Sequence, residues 1–543
     1  MRRFSSYGPL NPALHYYVPR QDLITHAYTQ LVGEAPDAGG HYITVWAPRQ
    51  RGKTWVMQQV VQKLKARGDF DVAILTLQSA KNVNSDEAVL DILVSNLRAW
   101  FRRDFPSLTT WKDLQSLFTA DYFTRPLVLI LDEFDAISES CIGAFANEFR
   151  DMYIKRINET DKISGEKSCL LHGLALIGVR SVLGIENQSG SPFNVQRSLH
   201  VPNLTAAEVA EMYHWYERES GQTVAPSVIA RVFEETQGQP GLVSWLGEQL
   251  TETYNPGPPQ PIDAAVFEQT YGAALHVLPN NNILNIISKA RHSPYKELVL
   301  DLFRTAKKLP FRYDDARLNF LYTHGVVDWE QVAPGTYYTK FPCPFVQKRL
   351  FNYFAYELFQ HMGRTYDPFE DLNSIITETH LNVVNLLRRY ERYWQENRAW
   401  LLKDVPRRKT DLRVYEAVYH FNLYRYLASF LEDYGGRVVP EFPTGNGQVD
   451  LLLRYAGQQY ALEVKSYANW TAYKAALRQT ARYGQQLGLS EITLALFVDA
   501  VDDANRARHE AVYHDATTGV IVNPIFVVTG VNALPSSSPT DNR

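Results

Sequence analysis

Over the first two hundred positions, short apolar runs rich in β-branched residues alternate with stretches of helical periodicity. Runs at 42–46, 72–77, 127–131, 174–179 and 198–201 read as strands, with helical patterns between them. That alternation predicts a parallel α/β sheet. The run at 127–131 has no polar break, as expected of a central strand buried on both faces. Ahead of the first strand, an arm with Gly8-Pro9-Leu10-Asn11-Pro12 and His15-Tyr16-Tyr17-Val18-Pro19-Arg20 enters a short helix at 22–32. Such an arm either packs near a bound base or is plain surface. After the fifth strand, Thr205 with Glu208 three residues on marks a helix start. Helices continue to about 253, interrupted at Thr236-Gln237-Gly238-Gln239-Pro240-Gly241.

Asn255-Pro256-Gly257-Pro258-Pro259-Gln260-Pro261 then reads as a stiff linker. Beyond it, helical patterns at 281–291, 294–306 and 313–324 precede a β-like pair at 326–329 and 337–341, the order of a winged helix. Residues 369–403 read as one long helix and 414–431 as another. A strand at 447–453, a turn at 456–458 and a return strand at 460–465 predict a hairpin. The chain ends in Pro535-Ser536-Ser537-Ser538-Pro539 and polar residues, composition that predicts disorder.

Length adds that 543 residues make three or four domains. A net charge of −4 excludes wholesale coating of nucleic acid, so any such contact needs a local basic surface. One candidate is 388–413, with nine Lys/Arg against four Asp/Glu and Tyr390, Tyr393, Trp394 and Trp400 interleaved. That pattern suits a nucleic-acid groove, and equally an amphipathic helix with a solvated face. Cys141, Cys169 and Cys343 are sparse and unpaired in spacing, which suits a reducing compartment. No apolar run is long enough to span a bilayer, so a cytoplasmic protein without membrane partners is expected.

The first candidate chemistry follows the first strand. Ala47-Pro48-Arg49-Gln50-Arg51-Gly52-Lys53-Thr54 lies between a strand and a helix, the setting of a phosphate-binding loop. Backbone N–H groups there converge on one spot at a helix N-terminus. Lys53 would reach the outer phosphates, and the Thr54 hydroxyl would hold Mg²⁺. Ala47 stands where the usual pattern has a glycine. At the end of the 127–131 strand, Asp132 is placed for the Mg²⁺ shell and Glu133 to polarise an attacking water. Arg180, at the end of the fourth strand, would sense the γ-phosphate or pair with a surface carboxylate.

The second candidate is the hairpin. Alternation puts Glu463 and Lys465 on one face and Val464 on the other, and the turn brings Asp450 beside them. Two carboxylates and a lysine on one face are costly unless Mg²⁺ or Mn²⁺ bridges the carboxylates. A bound water then becomes a nucleophile near neutral pH, which Lys465 can orient.

Residues 1 to about 250 resemble the AAA-like domain of bacterial STAND and Orc-type P-loop ATPases. The likeness rests on the upstream arm, Ala47–Thr54, Ser191-Pro192-Phe193-Asn194 and Gln237-Gly238-Gln239-Pro240. It implies ATP as ligand, a helical lid, nucleotide-controlled switching or assembly, and homo-oligomers. Residues 411–530 resemble the PD-(D/E)XK nuclease fold of RecB type. That likeness rests on Asp450, Glu463 and Lys465, with Glu416 as the helix carboxylate and Gln479 with Tyr483 as the Gln-x-x-x-Tyr pair. It departs from the family at Gln448, where no proline opens the motif.

The expected chain is therefore α/β and multidomain. An ATPase core fills 1–202, a lid 203–254, a winged-helix-like domain 263–366, a basic connector 367–410, a nuclease domain 411–530 and a tail 531–543. The expected function is ATP-controlled, metal-dependent cleavage of nucleic acid, DNA rather than RNA, in bacterial defence or mobile-element processing. Two alternatives stay open: an Orc-like scaffold whose nuclease fold only grips DNA, and a signalling ATPase whose winged helix binds a protein.

Overall fold

The computed structural model describes residues 1–8, 10–35, 37, 39–81, 83, 85–178, 196–303, 308–409, 412–441, 449–467 and 469–530, with backbone alone at 196, 449 and 450. The chain divides into two compact units, Met1–Asn282 with Tyr313–Gly325, and Ile283–Arg312 with Val326–Arg543.

In the first unit, α1 (Gln21–Val32) leads to β1 (Tyr42–Trp46), α2 (Lys53–Arg67), β2 (Asp71–Thr76) and α3 (Asp86–Phe101). Then come β3 (Leu127–Asp132), α4 (Glu139–Asn158), β4 (Leu171–Gly178) and β5 (Gln196–His200). The strands form one parallel sheet in the order β2-β3-β4-β1-β5. Its two faces are covered by separate apolar clusters. One packs Val56, Met57, Val60 and Leu64 of α2 against Ile43, Val45, Val128 and Ile130; the other packs α3 and α4 against Leu127, Leu129 and Leu131. This double cover is why the third strand reads as unbroken apolar sequence. Because all five strands are parallel, the loop after β1 and the carboxylates after β3 open on one edge, the usual ligand position of such sheets.

Helices follow: α5 (Ala206–Ser220), α6 (Pro226–Thr236) and α7 (Pro240–Glu248) in the segment expected as a lid, and then α8 (Ala264–His276). The predicted Thr205–Glu208 capping box is formed, and Gln237 and Gly238 turn the chain with positive φ between α6 and α7.

Next come α9 (Asn281–Ala290), α10 (Tyr295–Leu302), α11 (Ala316–Thr323), the antiparallel pair β6 (Asp328–Ala333) and β7 (Thr336–Lys340), and α12 (Pro344–Leu358). The helix–helix–helix–hairpin order matches the expectation. Residues 263–366 are nonetheless divided between units: α8 and α11 belong to the first, α10, β6, β7 and α12 to the second.

In the second unit, α13 spans Val383–Leu401, shorter than the helix read at 369–403, because the Asn382 side chain caps it by accepting from Asn385 N. Tyr390, Tyr393 and Trp394 are buried, while Trp400 stays exposed. Three of the four aromatics read as candidate base platforms are thus core residues. Arg388 pairs with Glu391 and Glu510, and Arg389 with Glu370, which removes much of the free charge.

Then follow α14 (Glu416–Glu432), β8 (Arg437–Glu441), β9 (Val449–Tyr455), β10 (Gln458–Ser466), α15 (Trp470–Gln486), β11 (Glu491–Val498), α16 (Asp503–His509), β12 (Tyr513–His514) and β13 (Ile521–Val528). The sheet order is β12-β13-β11-β10-β9-β8. β8, β9 and β10 form an antiparallel meander, after which α15 crosses over to β11, parallel to β10. Ala456 and Gly457, both at positive φ, make the tight β9–β10 turn. Arg180, the 191–194 segment, Gln448 and the tail lie outside the described residues. Among the described residues no helix is long and apolar enough to cross a membrane.

Candidate functional site

The loop between β1 and α2 is shaped by two left-handed residues, Gln50 (φ 58°) and Gly52 (φ 86°), the latter capping α2. Ala47 is buried within the apolar cluster behind the sheet. A methyl group is therefore accommodated where a glycine was expected. Lys53 folds back, its Nζ donating to the carbonyls of Ala47 (2.7 Å) and Pro48 (3.0 Å). Burial lowers its pKa to about 8, against the opposing pull of Asp135 and Asp132.

Thr54 Oγ1 donates to Asp132 Oδ2 at 2.7 Å, so the two residues expected to share a Mg²⁺ ion are brought together. Asp132 Oδ1 also accepts from the Glu133 amide at 2.8 Å. Burial raises the Asp132 pKa, as it does that of Glu133. Glu133 sits at φ 55°, a conformation costly for a non-glycine residue and held here by its surroundings. Its Oε2 accepts from Thr76 Oγ1 at 3.1 Å, and the Gln78 amide, turned with its nitrogen toward the carboxylate, donates at 2.8 Å.

Segments singled out in the sequence on other grounds also meet this loop. Gly241 N donates to Gln50 O at 3.1 Å, and Gln239 Nε2 reaches Arg49 O at 3.4 Å, so the Gln-Gly-Gln-Pro segment clasps the loop from the lid. A Cβ on Gly241 would lie 2.5 Å from Gln50 Oε1, which explains the glycine there. His200 ends β5 with a pKa lowered to about 4 by burial and by the charges of Arg51, Arg20 and Lys53. The arm does approach this region. Tyr17 packs on Trp55, the residue after Thr54, at 5.1 Å, and Arg20 donates to Pro202 O at 2.8 Å. The chemistry is that of an anion site: a buried amine satisfied by loop carbonyls, flanked by further cations, beside a carboxylate–hydroxyl pair suited to a divalent cation.

In the second unit, register pairs Glu463 with Asp450 across β10 and β9, as the hairpin reading requires. Asp450 is placed by its backbone alone. Glu463 is 1% exposed, and among the described residues its Oε2 has no hydrogen-bond partner. Its charge partner is Lys465, with Nζ 2.7 Å from Glu463 Oε1. Lys465 Nζ also donates to Gln479 Oε1 at 2.8 Å, so the helix glutamine meets the strand lysine as expected. Tyr483, one turn further along α15, is buried in an apolar cluster with Leu494 and Leu496 of β11. Glu416 opens α14, and its Oε1 is 3.8 Å from Nε2 of the fully buried His420. Among the described residues no group of three His, Cys, Asp or Glu side chains stands at metal-binding spacing.

The same register row holds an acid that alternation could have suggested. Glu441, ending β8, is opposite Asp450, and its Oε2 lies 2.8 Å from Nζ of Lys348 on α12, a lysine 1% exposed. Nothing local in the sequence marked Lys348, because it arrives from far upstream.

A strand–loop–helix with Lys53, Thr54 and Asp132 gathered at the edge of a parallel sheet defines a P-loop domain. Residues 6–254 match the family profile of the AAA-like domain. A Walker-type ATPase of Pyrococcus abyssi is similar in structure at 14% identity, covering 64% of this chain and 99% of its own, with a TM-score of 0.43. The Orc1 protein of Aeropyrum pernix, solved in complex with DNA, is similar at 16% identity, 62% and 93% coverage and a TM-score of 0.32. The RuvB Holliday junction branch migration motor of Thermotoga maritima is similar at 12% identity, 58% and 90% coverage and a TM-score of 0.33. Comparison with curated proteins gives no match.

Proposed function

We propose that the chain is an ATPase that controls a metal-dependent nuclease. ATP would lie along Ala47, Pro48, Arg49, Gln50, Arg51, Gly52, Lys53 and Thr54, with the Lys53 ammonium turned from loop carbonyls to the outer phosphates. Thr54 and Asp132 would hold Mg²⁺, and Glu133 would orient the attacking water. Arg180 keeps the γ-phosphate role read from its place in sequence. In the second unit Asp450, Glu463 and Glu416 would hold Mg²⁺ or Mn²⁺. Lys465, fixed by Gln479, would orient the water or meet charge on the scissile phosphate. The cation, when bound, supplies a water acidic enough to act near neutral pH. The substrate class is nucleic acid, DNA before RNA. Nucleotide-dependent self-association and a protein partner on the 263–366 segment belong to the same reading.

The observation that carries the nuclease half is the Glu463–Lys465–Gln479 arrangement. The Lys465 ammonium meets Glu463 Oε1 at 2.7 Å, but Oε2 of this buried carboxylate has no partner among the described residues, and a second cation on that side would complete it. The test is cleavage of single- and double-stranded DNA with Mg²⁺ or Mn²⁺, with and without ATP. Cleavage should vanish in Asp450→Ala and change in its ATP response in Lys53→Ala. DNA binding without cleavage of DNA or RNA under every nucleotide condition would overturn this reading in favour of a nucleotide-switched scaffold.

A further inference from the structure

The helix that supplies Gln479 also carries charge that no carboxylate among the described residues neutralises. α15 (Trp470–Gln486) contains Lys474, Arg478 and Arg482 and no Asp or Glu. The three cations follow one another at i, i+4 and i+8, which stacks them along one side of the helix, about 6 Å apart per turn. All three are exposed, and among the described residues none has a carboxylate partner within ion-pair distance. Two acids at the ends of α16 are already engaged: Asp502 caps that helix through Asn505, and Glu510 pairs with Arg388 and Arg506. A solvated helix face ordinarily mixes both signs. This one does not, in a chain whose net charge is −4.

Two aromatics stand at the N-terminal end of the ridge. Trp470 is 43% exposed and Tyr467 40%, unusual for rings of this size. Tyr473, buried between them, backs both, at 5.3 Å from Trp470 and 6.4 Å from Tyr467. Lys474 Nζ lies 4.9 Å from the centre of the Trp470 ring, so ring and first cation share one place. Gln479 is the next residue after Arg478, about 100° round the helix. The ridge and the face that meets Lys465 are therefore adjacent sides of one rigid element.

We infer that this ridge is the track of a single nucleic-acid strand. Lys474, Arg478 and Arg482 bind successive backbone phosphates, and unpaired bases stack on Trp470 and Tyr467. Cations spaced for a phosphate backbone, with aromatic rings at one end, are the two parts of a sequence-tolerant single-strand site. The inference rests on the nuclease reading and names its substrate class: a single-stranded region led toward Glu463 and Lys465.

The test is binding by the full chain, in EDTA so that no strand is cut, of a labelled oligothymidylate and of a labelled duplex across a salt series. Lys474→Glu/Arg478→Glu/Arg482→Glu should weaken oligothymidylate binding at least about tenfold and flatten the log–log salt slope by about 2. Trp470→Ala should weaken the single strand by about tenfold and leave the duplex unmoved. Lys112→Glu, a surface change in the first unit, serves as the control, and circular dichroism checks that every variant is folded. Unchanged affinity and slope in the triple variant would overturn the ridge, as would equal loss of duplex and single strand in Trp470→Ala. Cleavage by the wild type with an inert ridge refutes this inference alone; ridge-dependent binding without cleavage refutes the nuclease reading alone.

Discussion

Replacing Glu463 by Leu and Lys465 by Met together should make the metal-free protein more stable while abolishing its response to divalent cations. The Glu463 carboxylate is 1% exposed and paired with Lys465 at 2.7 Å, so both charges are largely stripped of water. Exchanging a buried ion pair for apolar groups of similar volume is neutral to stabilising by about 1–4 kcal/mol. Against that, Gln479 Oε1 loses its 2.8 Å donor, a cost of about 1 kcal/mol. The expected net gain is up to about 3 kcal/mol, or up to roughly 10 °C for a unit of this size. In the wild type, Mn²⁺ at a hundred times its dissociation constant should add about 2.7 kcal/mol. The assay is differential scanning calorimetry of both proteins in EDTA and in Mn²⁺, following the transition of the second unit. If the double variant is less stable in EDTA and Mn²⁺ leaves the wild type unmoved, the pair is structural and the metal argument fails.

Two further outcomes concern the loop. Lys53 has its pKa lowered to about 8 from an ordinary 10.5. The unfolded chain thus binds more protons than the folded one between those values, and nucleotide-free stability should rise with pH from about 8 toward 10.5. Urea titrations across that range should show the rise in the wild type and not in Lys53→Met. Phosphates favour the ammonium, so ATP binding at pH about 8.5 should take up a proton; calorimetry in buffers of different ionisation heat would contradict this by showing none. Gly241→Ala would place a methyl carbon 2.5 Å from Gln50 Oε1 and 2.6 Å from its Cβ, costing about 1–3 kcal/mol. Gln50→Gly removes both the obstruction and the positive φ of 58°, so the double variant should recover most of the loss. A double-mutant cycle showing simple additivity would refute the clasp.

What the sequence made legible is whatever depends on neighbours along the chain. The five strands of the first sheet, the capping box at Thr205 and the β9–β10 hairpin follow from local periodicity and turn residues. Lys53, Thr54 and Asp132 could be grouped because a parallel sheet sends successive loops to one edge. The misreadings came where tertiary packing decides. Tyr390, Tyr393 and Trp394 sit among arginines in sequence but in the core in space, because the basic residues occupy the other side of α13. Thr76 and Lys348 are invisible locally, since each acts on a residue more than fifty positions away.

The two sites carry complementary imbalances, and this is the physical reason to read each as unfinished without its ligand. Around the first loop, burial first and then the charges of Arg51, Arg20 and Lys53 lower the His200 pKa to about 4, so the neighbouring charge there is positive. Burial holds Lys53 down as well, so a polyphosphate would relieve a charge the fold itself disfavours. Across β8, β9 and β10 the row is acidic instead: Glu441, Asp450 and Glu463 stand in register on neighbouring strands. Lys348 answers Glu441 and Lys465 answers Glu463, one lysine each. Repulsion between like charges on adjacent strands costs stability that apolar residues would avoid. A row that keeps such a cost is suited to a cation, as the first loop is suited to an anion.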